Sequence, residues 1–243
     1  MLQRGRHGGE DSIGGTRDRG DSIAAMDAIV FDWDGTLCDS LPAIYEANRQ
    51  VLDELGLPFD DARYRAAYVP DWRLMYQRLG VPDEALEEAG LRWLSLYGEA
   101  AEAGLLPRVQ ESLERLGAAG FVMGLVTAGD RDVVTGQLER FGIAHLIPAR
   151  VFGTDPIAAK PHPDPLLRVL TELDRAERIA TARYVGDVPD DMRMARAVGA
   201  VGIGIESTIG GRDVLLEAGA SAVYPLVADF VDELLDQAGG RAA

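Results

Sequence analysis

Ala28-Ile29-Val30-Phe31-Asp32-Trp33-Asp34-Gly35-Thr36-Leu37 decides the reading of this chain: an apolar run passes directly into two carboxylates and a glycine. A short run of this kind reads as a buried parallel strand. Alternation along an extended chain points Asp32 and Asp34 to the same side, at the carboxyl end of the strand, where open α/β sheets bind ligands. One carboxylate can then attack as a nucleophile while the other donates and recovers a proton. Gly35 lets the chain turn with no side chain in the way. An Asx turn closing a strand would need only one aspartate. Four fixed positions recur by chance in about one chain per thousand of this length.

Outward from that stretch, strands and helices alternate. Val122-Met123-Gly124-Leu125-Val126, Ala182-Arg183-Tyr184-Val185, Val201-Gly202-Ile203-Gly204-Ile205 and Ala222-Val223-Tyr224 read as further strands. Amphipathic helices fit at 108–119, 130–141, 163–174, 189–198, 211–218 and 226–237. The expected fold class is therefore α/β: a Rossmann-like, mostly parallel sheet with helices on both faces. Residues 40–104 break the alternation. Leu41, Ile44, Tyr45, Asn48, Val51, Leu52 and Leu55 recur at helical spacing, as do Leu86, Ala89, Trp93, Leu96 and Ala100, with no strand between. This predicts a small all-helical domain at 40–104, inserted into a core built from 26–39 and 105–240. Residues 1–25, rich in Gly and Arg with almost nothing apolar, read as a disordered tail, and Met26 could be the true start.

Composition narrows the function. Hydrophobic content of 47% with 26% charged residues suits a globular protein with a real core. A net charge of −16 argues against nucleic acid and anionic membrane surfaces as partners. Cys38 is the only cysteine, so no intramolecular disulfide forms, and His7, His145 and His162 lie too far apart in sequence to suggest zinc. With neither a secretory signal nor a bilayer-length apolar stretch, the expected location is the cytoplasm.

A second acidic cluster, Gly186-Asp187-Val188-Pro189-Asp190-Asp191, follows the third strand. Pro189 marks a helix start, and Asp187 and Asp191, four apart, can face one point across its first turn. A few carboxylates completed by waters and a substrate phosphate are what magnesium prefers. Acids favoured by the helix dipole would account for Asp190 alone. Thr127, at the end of the second strand, and Lys160, in Lys160-Pro161-His162-Pro163, could hold phosphate oxygens.

In order and spacing these residues resemble the haloacid dehalogenase superfamily, in the subgroup that includes phosphoglycolate phosphatases. Its Asp-x-Asp-Gly-Thr motif is matched at 32–36, its strand-end Thr or Ser by Thr127, its Lys-Pro pair by Lys160-Pro161, and its Gly-Asp-x-x-x-Asp by Gly186, Asp187 and Asp191. The resemblance runs from about residue 27 to 237 and makes the helical insert a cap over the site. It implies Asp32 as nucleophile, Asp34 as general acid/base, and Thr127 and Lys160 on the transferring phosphoryl group. Gly35, Thr36 and Ala128 would complete the phosphate's surroundings. Mg²⁺ would be held by Asp32, the Asp34 backbone carbonyl and Asp187, with Asp191 assisting. Ala128 stands where relatives often carry Asn, and Trp33 where they carry Phe or Leu.

The implied activity is hydrolysis of a small-metabolite phosphate monoester, phosphoglycolate-like and with 2-phosphoglycolate as the example, through an aspartyl phosphate, by a monomer or homodimer. Asp34 separates the chain from dehalogenases, which lack that aspartate, and the absence of lysine from 41–104 removes the phosphonate-cleaving relatives. A sugar phosphomutase shares all the motifs, and a catalytically idle binding module is the alternative from another class. Tyr45, Arg49, Tyr68, Trp72, Arg73 and Tyr76 could meet the leaving group, but packing of the insert's own core for the aromatics and solvation for the arginines is the better account of each.

Overall fold

The computed structural model describes residues 27–100 and 103–240; the tail expected at 1–25 lies outside the described residues. Six parallel strands form one sheet: β1 (Ala28–Phe31), β2 (Val122–Val126), β3 (Ala149–Val151), β4 (Arg183–Gly186), β5 (Val201–Ile205) and β6 (Ala222–Tyr224). Their spatial order is β3-β2-β1-β4-β5-β6. The chain winds outward from β1 through β2 to β3, then returns to lay β4 on β1's other side. The switch point of the sheet therefore falls between β1 and β4, the place where open α/β sheets bind ligands.

Alternation within β1 builds both faces. Ile29 and Phe31 join Val109, Leu113, Leu116, Phe230 and Val231 in one cluster, while Ala28 and Val30 join Leu166, Val169, Leu170, Met194 and Ala195 in another. Helices α5 (Val109–Ala118) and α10 (Val227–Gly240) cover the first face, and α7 (Asp164–Glu172) and α8 (Pro189–Val198) cover the second. Helix α6 (Arg131–Arg140) joins the first face through Val134 and Leu138, and α9 (Arg212–Ala218) packs Leu215 against Met192 of α8.

Between β1 and α5 the chain forms α1 (Leu41–Glu54), α2 (Asp61–Ala67), α3 (Trp72–Leu79) and α4 (Leu86–Ala100). Their apolar faces meet in a third cluster that includes Val51, Leu52, Tyr64, Tyr76, Leu79, Ala89 and Tyr97. Asp60 and Asp71 start the two short helices, accepting bonds from Arg63 N, and from Arg73 N and Leu74 N. Gly80, at φ 98°, ends α3 in the left-handed region that suits glycine.

Two features depart from the sequence reading. The three-residue β3, with Arg150 at its centre, gave no apolar run, yet it pairs with β2 and closes that edge. Helices α2 and α3 were not separately expected.

Candidate active site

The neighbouring strands β1 and β4 deliver two aspartates side by side. Asp32 N donates to Val185 O at 2.8 Å, extending the β1–β4 ladder by one residue and placing the Asp32 side chain next to Asp187. Carboxylate oxygens of Asp32, Asp187 and Asp191 lie within 4.8 Å of one another, and all three residues are buried. Lys160 Nζ reaches into this cluster, donating to Asp32 Oδ1 at 2.7 Å and Asp191 Oδ1 at 2.8 Å.

Each carboxylate has a different local assignment. Both oxygens of Asp191 are engaged, Oδ1 by Lys160 and Oδ2 by the backbone N–H groups of Asp187 and Val188 at 3.1 and 3.2 Å. An acid three residues past a helix N-cap commonly reaches back in this way; Asp191 thereby ties the β4–α8 turn to the lysine. Asp34 sits apart from the triad and accepts a 2.6 Å bond from Ser40 Oγ. Asp187 Oδ1 accepts a long 3.4 Å bond from Thr36 Oγ1, while its Oδ2 is buried without a hydrogen-bond partner.

That orphan oxygen has space beside it. A Cβ on Gly35 would fall 2.6 Å from Asp187 Oδ2, and Gly35 holds φ at +75°, so the motif's glycine serves both the turn and the opening. Close backbone approach recurs around the site: a Cβ on Gly210 would meet Asp187 O at 1.8 Å, and one on Gly153 would meet Ala128 O at 2.0 Å. Thr127, nearly fully buried, follows β2 directly, and its Oγ1 accepts from Gly129 N at 2.9 Å.

The electrostatics are lopsided. Asp32, Asp34, Asp187 and Asp191 face one ammonium. Burial pushes Asp32 up to about 7, with Lys160 opposing and Asp191 adding to the rise. Burial also raises Asp34, against Ser40, and drives Asp187 well above the usual carboxylate range, where Asp32 and Asp191 add repulsion. Lys160 is desolvated too, but Asp191 and Asp32 more than offset that and hold it protonated. A buried cluster with this excess of negative charge, an unpartnered oxygen and oxygen-only donors fits a hard divalent cation.

Sequence reasoning named Asp32, Asp34, Gly35, Thr36, Thr127, Ala128, Lys160, Asp187 and Asp191: those at 32–36, 127–128 and 187 follow β1, β2 and β4, Asp191 lies in the first turn of α8, and Lys160 comes from the loop between β3 and α7. It missed Ser40, which holds Asp34, and Tyr184, whose hydroxyl donates to Val126 O at 2.9 Å and accepts from Lys160 at 3.3 Å. Tyr184 looked like an ordinary strand residue; only a polar tip within an apolar run signalled more.

The family model for haloacid dehalogenase-like hydrolases matches residues 29–205, spanning every residue just described except Gly210. The chain belongs to that family. It is 34% identical over 207 residues to a phosphoglycolate phosphatase of Escherichia coli (strain K12), covering 73% of this chain and 80% of the relative. It is 30% identical over 200 residues to the phosphoglycolate phosphatase of Yersinia pseudotuberculosis, covering 74% and 81%. Among solved structures, a hydrolase from Pseudomonas syringae is similar across 87% of this chain and 99% of its own, with a TM-score of 0.75 and 26% identity. Among the described residues, no helix is long and apolar enough to cross a membrane.

Proposed function

We propose that the chain is a Mg²⁺-dependent phosphatase that hydrolyses a phosphate monoester through an aspartyl phosphate on Asp32, with helices α1–α4 as a cap domain over the site. The observation that carries this reading is the buried Asp32–Lys160–Asp191 array beside the orphan oxygen of Asp187. Asp32 and Asp187, with the Asp34 backbone carbonyl, would hold Mg²⁺. Bound there, the ion would supply positive charge to the phosphoryl oxygens.

The chain's own groups account for the rest. Lys160 fixes the Asp32 carboxylate at the sheet's carboxyl end and places its ammonium where phosphoryl oxygens gather in the transition state. Asp32 attacks in line, and the Thr127 hydroxyl donates to a phosphoryl oxygen. Asp34, raised by burial and steadied by Ser40, keeps a proton for the leaving oxygen and afterwards removes one from the hydrolytic water. Asp191 is a positioning residue that acts through Lys160. The cap helices exclude bulk water during the reaction.

The test is phosphate release from a panel of monoesters that includes 2-phosphoglycolate, with Mg²⁺ and with excess EDTA, using Asp32→Asn as the blank. Release that requires Mg²⁺ and vanishes in the blank supports the reading. Interconversion of sugar-phosphate isomers in place of release would move the chain to the phosphomutases.

Stability gives a second readout. Mg²⁺ at a hundredfold excess over its dissociation constant should add about 2.7 kcal/mol, raising the melting temperature by roughly 5–10 °C. Asp187→Asn should cut that rise by more than half in calorimetry. An unchanged rise would place the ion elsewhere.

A further inference from the structure

Asp34 opens on a chamber of about 380 Å³ between the cap helices and the loops after β2 and β3. A second cavity, lined by Gly35, Asp39, Arg65 and Glu206, does not include Asp34. The group that protonates the leaving oxygen must touch it, so the leaving group occupies the first chamber. This step rests on the phosphatase reading above.

The walls of that chamber are apolar and aromatic: Ile44, Tyr68, Val69, Trp72, Met75 and Leu94 are the main surfaces. Its charged lining residues are Asp34, Asp130, Glu87 and Arg73. Asp130 caps α6, accepting from Asp132 N and Val133 N. Arg73, the single cation among them, donates to Glu87 at 2.6 Å and lies 4.4 Å from the Trp72 ring centroid. An anionic leaving group such as glycolate would face the Asp130 carboxylate and meet no cation but Arg73, which is already paired with Glu87, and it would leave most of the volume unfilled.

One polar signal remains. Asn48, 1% exposed, spends its Oδ1 on the Tyr76 hydroxyl at 3.0 Å, while its Nδ2, turned toward the Tyr64 hydroxyl, makes no hydrogen bond of ordinary geometry. A buried amide donor on the wall of a binding chamber calls for an acceptor on the ligand. We infer that the substrate is the phosphate monoester of a neutral, ring-sized, largely apolar alcohol that carries a hydrogen-bond acceptor for Asn48. In the reaction, the bond from phosphorus to the Asp32 oxygen forms, the ester P–O bond breaks, and the departing oxygen takes the Asp34 proton. The alcohol is left in the chamber.

The experiment compares kcat/KM for esters of primary alcohols, which keeps leaving-group basicity similar: ethyl phosphate, 2-phenylethyl phosphate and 2-(4-hydroxyphenyl)ethyl phosphate, against 2-phosphoglycolate. The phenylethyl esters should exceed 2-phosphoglycolate by about 100-fold or more, with ethyl phosphate between. Trp72→Ala should erase most of the advantage of phenylethyl over ethyl. Leu94→Arg, at a position 39% exposed and therefore tolerant of a long polar side chain, should shift the ratio toward 2-phosphoglycolate.

Mg²⁺-dependent turnover that is best with 2-phosphoglycolate would overturn the inference, and a tenfold or larger drop in Arg73→Met would assign the carboxylate to that side chain. Arg73 would then leave Glu87 to bind the carboxylate, and the phosphatase reading would stand. No release from any ester would overturn both.

Discussion

Asp32→Asn should lower kcat by on the order of 10⁵-fold without lowering the melting temperature. The size of the kinetic loss follows from removing a nucleophile whose partners cannot substitute for it. The amide has the carboxylate's shape, but its nitrogen and neutral oxygen do not attack phosphorus at a useful rate. The stability half of the prediction comes from the charge balance. Asp32 is pushed up to about 7 by burial, so its ionised form is held in the folded protein at a cost. Asparagine removes one crowded negative charge, while Lys160 keeps its 2.8 Å partner Asp191. Single-turnover kinetics and thermal unfolding, measured on the same preparation, check both halves. A variant that is inactive because it is unfolded would not meet the prediction.

Lys160→Met should lose both activity and stability. Removing a preorganised positive charge from the transferring phosphoryl group lowers kcat by about 10²–10³-fold. The same change strands Asp32 and Asp191, which bond to Lys160 at 2.7 and 2.8 Å with almost no solvent exposure. Breaking a buried ion pair from one side costs about 3–5 kcal/mol, a fall of roughly 10 °C in a domain of this size. The contrast between these variants separates chemistry from architecture: Asp32→Asn is dead and stable, Lys160→Met impaired and fragile. Combining the two should recover part of the lost stability, because one of the stranded charges is then gone. Equal melting temperatures for Lys160→Met and the parent would contradict the ion-pair account.

Chemistry at this site was legible in the sequence to the extent that it is local. Asp32, Asp34 and Gly35 lie within four residues of one strand-to-loop passage, so their spacing alone put two carboxylates and a turn together. Lys160 lies 128 residues from Asp32, and only the family's motif order linked them. Ser40 and Tyr184 were invisible for the same reason: a serine after a turn and a tyrosine in a strand carry no mark of what they will touch. The Asp191 motif position was legible, but the division of its oxygens between Lys160 and two backbone N–H groups was not, since that depends on how α8 begins.

In the fold, long amphipathic stretches such as α1 and α4 announced themselves by periodicity, whereas α2 and α3 are seven and eight residues long and depend on their Asp60 and Asp71 caps. β3 is three residues at the sheet edge, where the single partner β2 supplies its hydrogen bonds and no apolar run is required.

The central claim is that phosphate passes through Asp32. The most direct measurement is acid quench of ³²P-labelled 4-nitrophenyl phosphate, whose leaving group needs no proton, supplied in excess over the Asp34→Asn protein, in which loss of the general base slows hydrolysis of the intermediate. The account predicts label on the protein approaching one phosphate per chain, released by hydroxylamine, confined to the peptide that contains Asp32, and absent from Asp32→Asn. Ester turnover with no protein-bound label at any quench time, or label that persists in Asp32→Asn, would contradict it.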